Sequence, residues 1–384
     1  MRISKHAKVD PSLTVTINTL AANKRLRGEE VYNLSVGDPI LPCHEKIMAA
    51  AISGTANRKI NYPVVEGIPE LRRAAVAWMN ATYRSGYEVD DVLVTCGGKF
   101  VLYAAAQSLL EEGDEVLIPA PYWVSFPEIV KLFGGVPKII PTTPESGWKV
   151  TGADIRKHAT SKTRFIIFNN ACNPTGTIYT RDEVADILSA AKEKGVIVVA
   201  DEVYSALVYD GVPFASCSTF QEHHDNLIVV QSCSKNFGMT GWRVGFVFAP
   251  RELLKIINNL QGQCTTGTAL ISQWAAVGAL ENATEVNGYV KSALTNRRNI
   301  FVDTYRSLFG YELAKPQSAM YAFVPISHLG AKNNDSVAFC EMIMDRANVA
   351  IVPGAAFGVE GFARLSFSET EHNIVAGLRK IHDL

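Results

Sequence analysis

The segment Ser232-Cys233-Ser234-Lys235-Asn236-Phe237-Gly238 follows the apolar run Leu227–Val230, and Arg243 stands eight residues beyond its lysine. A lysine at a strand end, among small hydroxyls and glycines, is poorly explained as a solvated surface group. Burial beside a second cation favours the free amine, the nucleophile that a Schiff base requires. The fork of donors on a guanidinium suits a phosphate. Asp201-Glu202-Val203-Tyr204 comes directly after Val196–Ala200. A carboxylate at the edge of an apolar core is costly unless it faces a cation or a protonated ligand, so Asp201 either does so or caps a helix. Thr95-Cys96-Gly97-Gly98-Lys99 leads from another apolar run into a helical pattern. Two glycines there free backbone N–H groups to face an anion at the positive end of the helix, or simply make a tight turn. Arg364 lies within a strand-like stretch and calls for a carboxylate partner. Asn173-Pro174-Thr175-Gly176 reads by itself as a turn, and Tyr62 and Trp123 fit a core or a platform equally well.

Taken together, these positions offer a phosphate cradle, an acid, a nucleophilic lysine and a second arginine. That set fits a cofactor with a phosphate, a ring nitrogen to be held protonated and an aldehyde to be held as an imine. Pyridoxal 5′-phosphate is such a cofactor. Neither a P-loop pattern nor Gly-x-Gly-x-x-Gly occurs in the chain.

Elements must bring these residues to one place. Apolar runs recur at Asp91–Thr95, Glu115–Pro119, Pro137–Ile140, Arg164–Phe168, Gly195–Ala200, Asn226–Val230 and Val244–Ala249. Helical patterns separate several of them, at Phe100–Glu111 (closed by Gly113), Ser125–Phe133 and Arg181–Lys194. Runs apolar on both faces suit strands covered by helices on either side, so the spacing predicts an α/β fold with a mostly parallel sheet. From about Asn282 the pattern changes to a long helix over Thr284–Leu308, strands at Met320–Pro325, Val349–Val352 and Ala363–Phe367, and helices at Ser336–Arg346 and the C-terminus. We expect an N-terminal arm and part of a small domain at 1–45, a large domain at 46–282, and a smaller α+β domain at 283–384.

Composition narrows the function classes. Lys and Arg total 37 against 38 for Asp and Glu, a formal charge of −1, which leaves no field to gather nucleic acid or anionic membrane. At 47% hydrophobic and 20% charged residues, disorder is not expected. Residues 1–10 lack the apolar stretch of a signal peptide, and no run approaches the ~20 residues that span a bilayer. Seven cysteines without a Cys-x-x-Cys pair favour reduced thiols in a cytoplasm over disulfides or a metal site.

Ser-Cys-Ser-Lys235-Asn-Phe-Gly-Met-Thr-Gly-Trp-Arg243-Val-Gly resembles the lysine signature of class I, fold-type I aminotransferases. The resemblance runs nearly end to end, through Val36-Gly37-Asp-Pro, Tyr62, Gly67-Ile-Pro-Glu-Leu-Arg, Cys-Gly97-Gly98-Lys99, Pro-Tyr122-Trp123-Val-Ser, Asn173-Pro-Thr-Gly, Asp201-Glu-Val-Tyr204 and Arg364-Leu-Ser. It is nearest to the bacterial aspartate aminotransferase subgroup, and it implies a large α/β domain with a mostly parallel, mixed seven-stranded sheet between helices and a smaller α+β domain. The resemblance implies pyridoxal 5′-phosphate bound covalently by Lys235, which also shuttles the proton, with Asp201 on the ring nitrogen. It likewise places Tyr204 and Asn173 on the phenolic oxygen and Trp123 on the ring face. Gly97, Gly98, Lys99, Ser232 and Arg243 match positions around the phosphate, with Tyr62 supplied by the second subunit of a homodimer. Arg364 and the backbone of Gly37 match the grip on the substrate α-carboxylate, and Lys99 is linked to an acidic side chain. The substrates implied are L-aspartate or L-glutamate and a 2-oxo acid. Departures from the family pattern are Ile40-Leu-Pro-Cys-His44 after Gly37-Asp-Pro, Asp10 before the first Pro-Ser pair, and Ala171 ahead of Cys172-Asn173. Other readings are an aromatic, neutral or prephenate aminotransferase, a lyase or decarboxylase on the same scaffold, and a regulator with an aminotransferase-like sensor. The regulator has little chain ahead of Val36 for a DNA-binding module.

Overall fold

A computed structural model describes residues 9–56 and 60–384. The part of the expected arm at 1–8 lies outside the described residues. Strands occur at β1 (Tyr32–Asn33), β2 (Val92–Thr95), β3 (Glu115–Pro119), β4 (Val136–Ile140), β5 (Thr163–Asn169), β6 (Ile197–Asp201), β7 (Leu227–Ser232), β8 (Gly245–Phe248), β9 (Tyr321–Pro325), β10 (Val349–Ala350), β11 (Val352–Pro353) and β12 (Phe362–Ser366). The helices used below are α1 (Leu13–Leu26), α2 (Glu45–Thr55), α3 (Pro69–Tyr83) and α4 (Gly98–Leu109). They continue with α5 (Ser125–Leu132), α6 (Gly152–His158), α7 (Arg181–Glu193), α8 (Cys233–Asn236), α9 (Arg251–Cys264), α10 (Leu270–Glu281), α11 (Ala283–Phe309), α12 (Ser336–Ala347) and α13 (Glu371–His382).

The expected seven-stranded sheet is present, in the order β2-β8-β7-β6-β5-β3-β4. Only β8 runs against its neighbours; the remaining pairs are parallel. The carboxyl ends of the other strands therefore share one edge with the amino end of β8. Alternate residues enter two cores, as the period of a strand requires. Val198, Ala200, Leu227 and Val229 pack on one side, and Val199, Ile228 and Val230 on the other. The covering helices carry the matching signals. In α7, Val184, Ile187, Leu188 and Ala191 face the core. Thr180 Oγ1 accepts the Glu183 N–H at 3.3 Å while the Glu183 carboxylate accepts the Thr180 N–H at 2.7 Å, a capping box that contributes about 1 kcal/mol.

Toward the C-terminus, β9, β12 and β11 form an antiparallel sheet, and β1 pairs with β10 in parallel, which ties the N-terminal segment to this part of the molecule. Arg298 of α11 is fully buried and forms a bidentate pair with Asp210, at 2.7 and 2.9 Å. That clamp fixes the long helix to the loop that leaves β6 by way of Tyr204.

Three local expectations change. The helix after Gly97 ends at Leu109 with extended Leu110 as its cap, and Gly113, at φ 85°, instead turns the chain into β3. Asp201 caps no helix: it is the last residue of β6, and a turn follows. The stretch Val349–Val352 is divided between two sheets, since β10 follows β1 while β11 follows β12. Pairing partners far away in sequence decide that division.

Candidate active site

A cavity of about 270 Å³ opens at the shared edge of the sheet. Strand ends deliver most of its walls: β2 leads to Gly98 and Lys99, β5 to Asn169 and Asn173, β6 ends on Asp201, and β7 ends on Ser232 ahead of Lys235. Arg243 precedes β8, so it joins them only because β8 is reversed.

One end of the cavity is built for an anion. Gly97 caps α4 at φ 84°, and a Cβ there would stand 2.4 Å from Arg243 Nη2. A Cβ on Gly245 would stand 2.5 and 2.6 Å from the backbone of Gly97 and Gly98, so β8 must approach as bare backbone. Ser232 Oγ accepts the Ser234 N–H at 3.1 Å and donates to the Val244 carbonyl at 3.1 Å. Arg243 Nη1 donates to the Thr240 carbonyl at 2.8 Å and to Ser234 Oγ at 3.4 Å. Hydroxyls, a guanidinium and the start of α4 thus converge.

Another wall carries the acid. Asp201 is buried, and its carboxylate makes one hydrogen bond among the described residues, a 3.4 Å contact from the Val203 N–H. Burial pushes its pKa up to about 7, against a smaller pull from Lys235. A buried carboxylate this poorly matched has room for a cationic partner. Asn169 Nδ2 donates to the Asp201 carbonyl at 2.9 Å, and its Oδ1 accepts the Asn173 N–H at 2.9 Å, which seats Asn173 beside the acid. Lys235 Nζ donates to the Gly37 carbonyl.

Tyr204 and Tyr321 share a hydrogen bond of 2.9 Å between hydroxyls. Burial, and next Tyr321, raise the Tyr204 pKa well above the ordinary phenol value. Arg364 is 3% exposed; Nη1 donates to Asn173 Oδ1 at 3.0 Å, Nη2 donates to the Ser35 carbonyl at 2.6 Å, and buried Nε has no partner among the described residues. Its guanidinium lies over the rings of Tyr321 at 4.3 Å and Phe357 at 5.1 Å. Burial lowers its pKa, but a guanidinium stays protonated. Lys99, in the first turn of α4, holds its amine 4.7 Å from the Trp123 ring centre. Desolvation in the cavity lowers its pKa, followed by Arg243 and Lys235, and solvent on its exposed side weakens the effect. It also borders a second cavity lined by Asp10, Tyr122 and Glu128.

The structure brings together Gly37, Gly98, Lys99, Trp123, Asn173, Asp201, Tyr204, Ser232, Lys235, Arg243 and Arg364 around one space, with Gly97 against Arg243. Tyr62 stands apart, 88% exposed. Sequence reasoning missed Tyr321, Asn169, Thr240, Ser234, Ser35, Asn18 and Thr14, which also line the cavity. Asn169 and Ser234 adjoin segments the sequence singled out and could have been included. Tyr321 opens a strand, and nothing local distinguishes it from a core residue.

The arrangement can hold an anion at the α4 end and a cation against Asp201, with a primary amine beside both. A family model described as aminotransferase class I and II matches residues 29–381. An aspartate aminotransferase of Streptomyces avermitilis is 35% identical over 387 residues, covering 98% of this chain and 94% of that protein. An aspartate/prephenate aminotransferase of Thermus thermophilus is 32% identical over 373 residues, covering 96% and 95%. The solved structure of the Thermus thermophilus aspartate aminotransferase with maleate superposes with a TM-score of 0.94 at 32% identity, covering all of both chains. The chain belongs to the class I and II aminotransferases.

Proposed function

We propose that this aminotransferase uses pyridoxal 5′-phosphate and moves the amino group of L-aspartate or L-glutamate to a 2-oxo acid such as 2-oxoglutarate or oxaloacetate. The observation that carries the reading is the buried, poorly matched carboxylate of Asp201 in one cavity with the Lys235 amine and the Arg364 guanidinium. An uncompensated buried charge costs several kcal/mol, and a protonated ring nitrogen offsets that cost. When bound, the cofactor supplies an electron sink for the carbanion at the substrate α-carbon.

The residues of the chain do the rest. Gly97, Gly98, Ser232 and Arg243 would hold the phosphate, and Trp123 the ring face. Tyr204 and Asn173 would donate to the phenolic oxygen. Lys235 would hold the cofactor covalently and carry the proton to and from the substrate α-carbon. Arg364, with Asn173 and the backbone of Gly37, would receive the α-carboxylate, and its unpartnered Nε leaves capacity for a ligand. Lys99 would meet the side-chain carboxylate. Tyr62 would reach the site from a second copy, making the active unit a homodimer with shared sites. The same proposal divides the chain into 1–45, 46–282 and 283–384 and places the protein in the cytoplasm. No helix among the described residues is long and apolar enough to cross a membrane.

A second reading of the substrate takes an aromatic or neutral amino acid, or prephenate. It rests on Asp10, which lines the cavity adjoining Lys99 and opposes a second anion there, whereas Glu128 in the same cavity is paired with Lys131 at 2.6 Å.

A half-reaction titration decides. Protein loaded with pyridoxal 5′-phosphate receives single amino acids without an oxo acid, while the visible band and the oxo-acid product are followed. Aspartate and glutamate should discharge the band and yield one equivalent of oxo acid. Preference for an aromatic or neutral amino acid would replace the substrate, and continuous turnover without an acceptor would replace transfer by a lyase reaction.

A further inference from the structure

Four buried polar side chains lie just outside the cavity: Glu202, Ser205, Gln231 and Asn236. Each is the chain neighbour of a cavity residue, namely Asp201, Tyr204, Ser232 and Lys235. Neighbours along a strand point to opposite faces, so Gln231 leaves the cavity face for the core that also receives Leu227 and Val229. Glu202, one residue beyond β6, stands in step with Val198 and Ala200 of that core.

These side chains form one hydrogen-bonded chain. Asn236 Nδ2 donates to Ser205 Oγ at 3.1 Å, Ser205 Oγ to Gln231 Oε1 at 3.3 Å, and Gln231 Nε2 to Glu202 Oε2 at 3.4 Å. Glu202 also accepts the Ser216 hydroxyl at 2.6 Å and the Cys217 N–H at 2.7 Å. At the far end, Asn236 Oδ1 accepts the Ala206 N–H at 3.0 Å. Both ends dictate the same polarity. A backbone N–H can only donate, which turns the Asn236 amide nitrogen toward Ser205, and above its raised pKa of about 7 the Glu202 carboxylate can only accept. Amide orientations follow from such a network. Bonds ending on a charge are the stronger kind, and aligned bonds reinforce one another.

We propose that this chain is a positioning device for the proton-transfer step, in which Asn236 holds the turn bearing Lys235 against the turn bearing Tyr204 and Glu202 fixes the direction of the chain. The proposal rests on the roles given above to Lys235 and Tyr204. The turn α8 spans Cys233–Asn236, too short to set its own orientation, so side chains must do it. Ser232 secures its start and Asn236 its end.

The test compares Asn236→Ala, Glu202→Gln, their double variant and Ser205→Ala, each loaded with pyridoxal 5′-phosphate. The readouts are the half-reaction rate with α-protiated and α-deuterated amino acid, the visible circular dichroism of the bound cofactor, the cofactor Kd and the melting temperature. Misplacing a reacting group by a fraction of an ångström costs about tenfold or more, so Asn236→Ala should react about tenfold slower. Its isotope effect should rise and its dichroism weaken, with the cofactor Kd changed by no more than about twofold. In Glu202→Gln an amide N–H meets donors, which opposes the polarity of the chain and should give the same signature. Because one chain carries both effects, the double variant should lose no more than the worse single variant. Losses that multiply, or variants with wild-type rate, isotope effect and dichroism, would overturn the proposal. If Asn236→Ala does not fold, Ser205→Ala removes one hydroxyl from the middle of the chain and decides by the same readouts. A wild type that shows no visible band and reacts with no amino acid would instead sink the proposed function.

Discussion

The hydroxyls of Tyr204 and Tyr321 are 2.9 Å apart across 117 positions of sequence. Tyr204 belongs to the turn after β6, whereas Tyr321 opens β9 in the C-terminal sheet. The ring of Tyr321 also carries the guanidinium of Arg364. One side chain therefore joins the group proposed for the cofactor ring to the group proposed for the substrate carboxylate. Tyr321→Phe keeps the ring and deletes the bond, whose net worth of about 0.5–1.5 kcal/mol predicts a fall in kcat of about 2- to 10-fold at nearly constant KM. Tyr321→Leu also removes the platform under Arg364, so KM should rise as well. Steady-state kinetics of the two variants separate these effects.

Asp201 predicts a pH-dependent stability in the cofactor-free protein. Its folded pKa is raised to about 7, so the folded state holds the proton more tightly than the unfolded chain does. The stability this group contributes is complete below about pH 4 and is lost as pH rises toward about 7. Asp201→Asn cannot ionise. Without cofactor it should melt above wild type at about pH 8, with the gap shrinking as pH falls and closing below about pH 4. Glu202, also pushed up to about 7 by burial and in smaller part by the Asp201 charge, is relieved of that repulsion in Asp201→Asn, which acts in the same direction. Loading with pyridoxal 5′-phosphate should reverse the order at the higher pH. Equal melting temperatures throughout would mean that the carboxylate is already compensated.

Lys99 predicts selectivity. Removing a desolvated ionic contact costs about 2–5 kcal/mol, so Lys99→Ala should lower kcat/KM for aspartate by about 30-fold or more. Activity toward alanine or phenylalanine should change far less. Equal losses for every substrate would assign the lysine to the phosphate or to the fold.

Tyr62 predicts a shared site. If a second copy lends it, mixing Lys235→Ala with Tyr62→Ala subunits should create hybrids in which one site has both wild-type residues. Random exchange of a two-fold dimer restores about a quarter of wild-type activity, although each parent is impaired. Activity that never exceeds the average of the two parents would place Tyr62 outside the site.

Much of this protein is legible in its sequence. The runs at Arg164–Phe168 and Gly195–Ala200 could be read as strands because residues buried on both faces must be apolar at every position, a local signal. Where such a run stops, polar residues begin, and Asp201, Ser232 and Lys235 stand at those stops. The long helix was readable over Thr284–Leu308 and spans Ala283–Phe309. Gly97 and Gly98 stand out by their place between a strand-like run and a helical pattern. Strand order was not encoded locally. The reversal of β8 that brings Arg243 to the anion end, the division of β10 and β11 between two sheets, and the meeting of Tyr321 with Tyr204 and Arg364 all depend on contacts between distant segments. The chain from Asn236 to Glu202 belongs with them. A residue type and its spacing report how a segment is buried, but the direction of one hydrogen bond toward a distant partner leaves no period in the sequence, and only packing decides it.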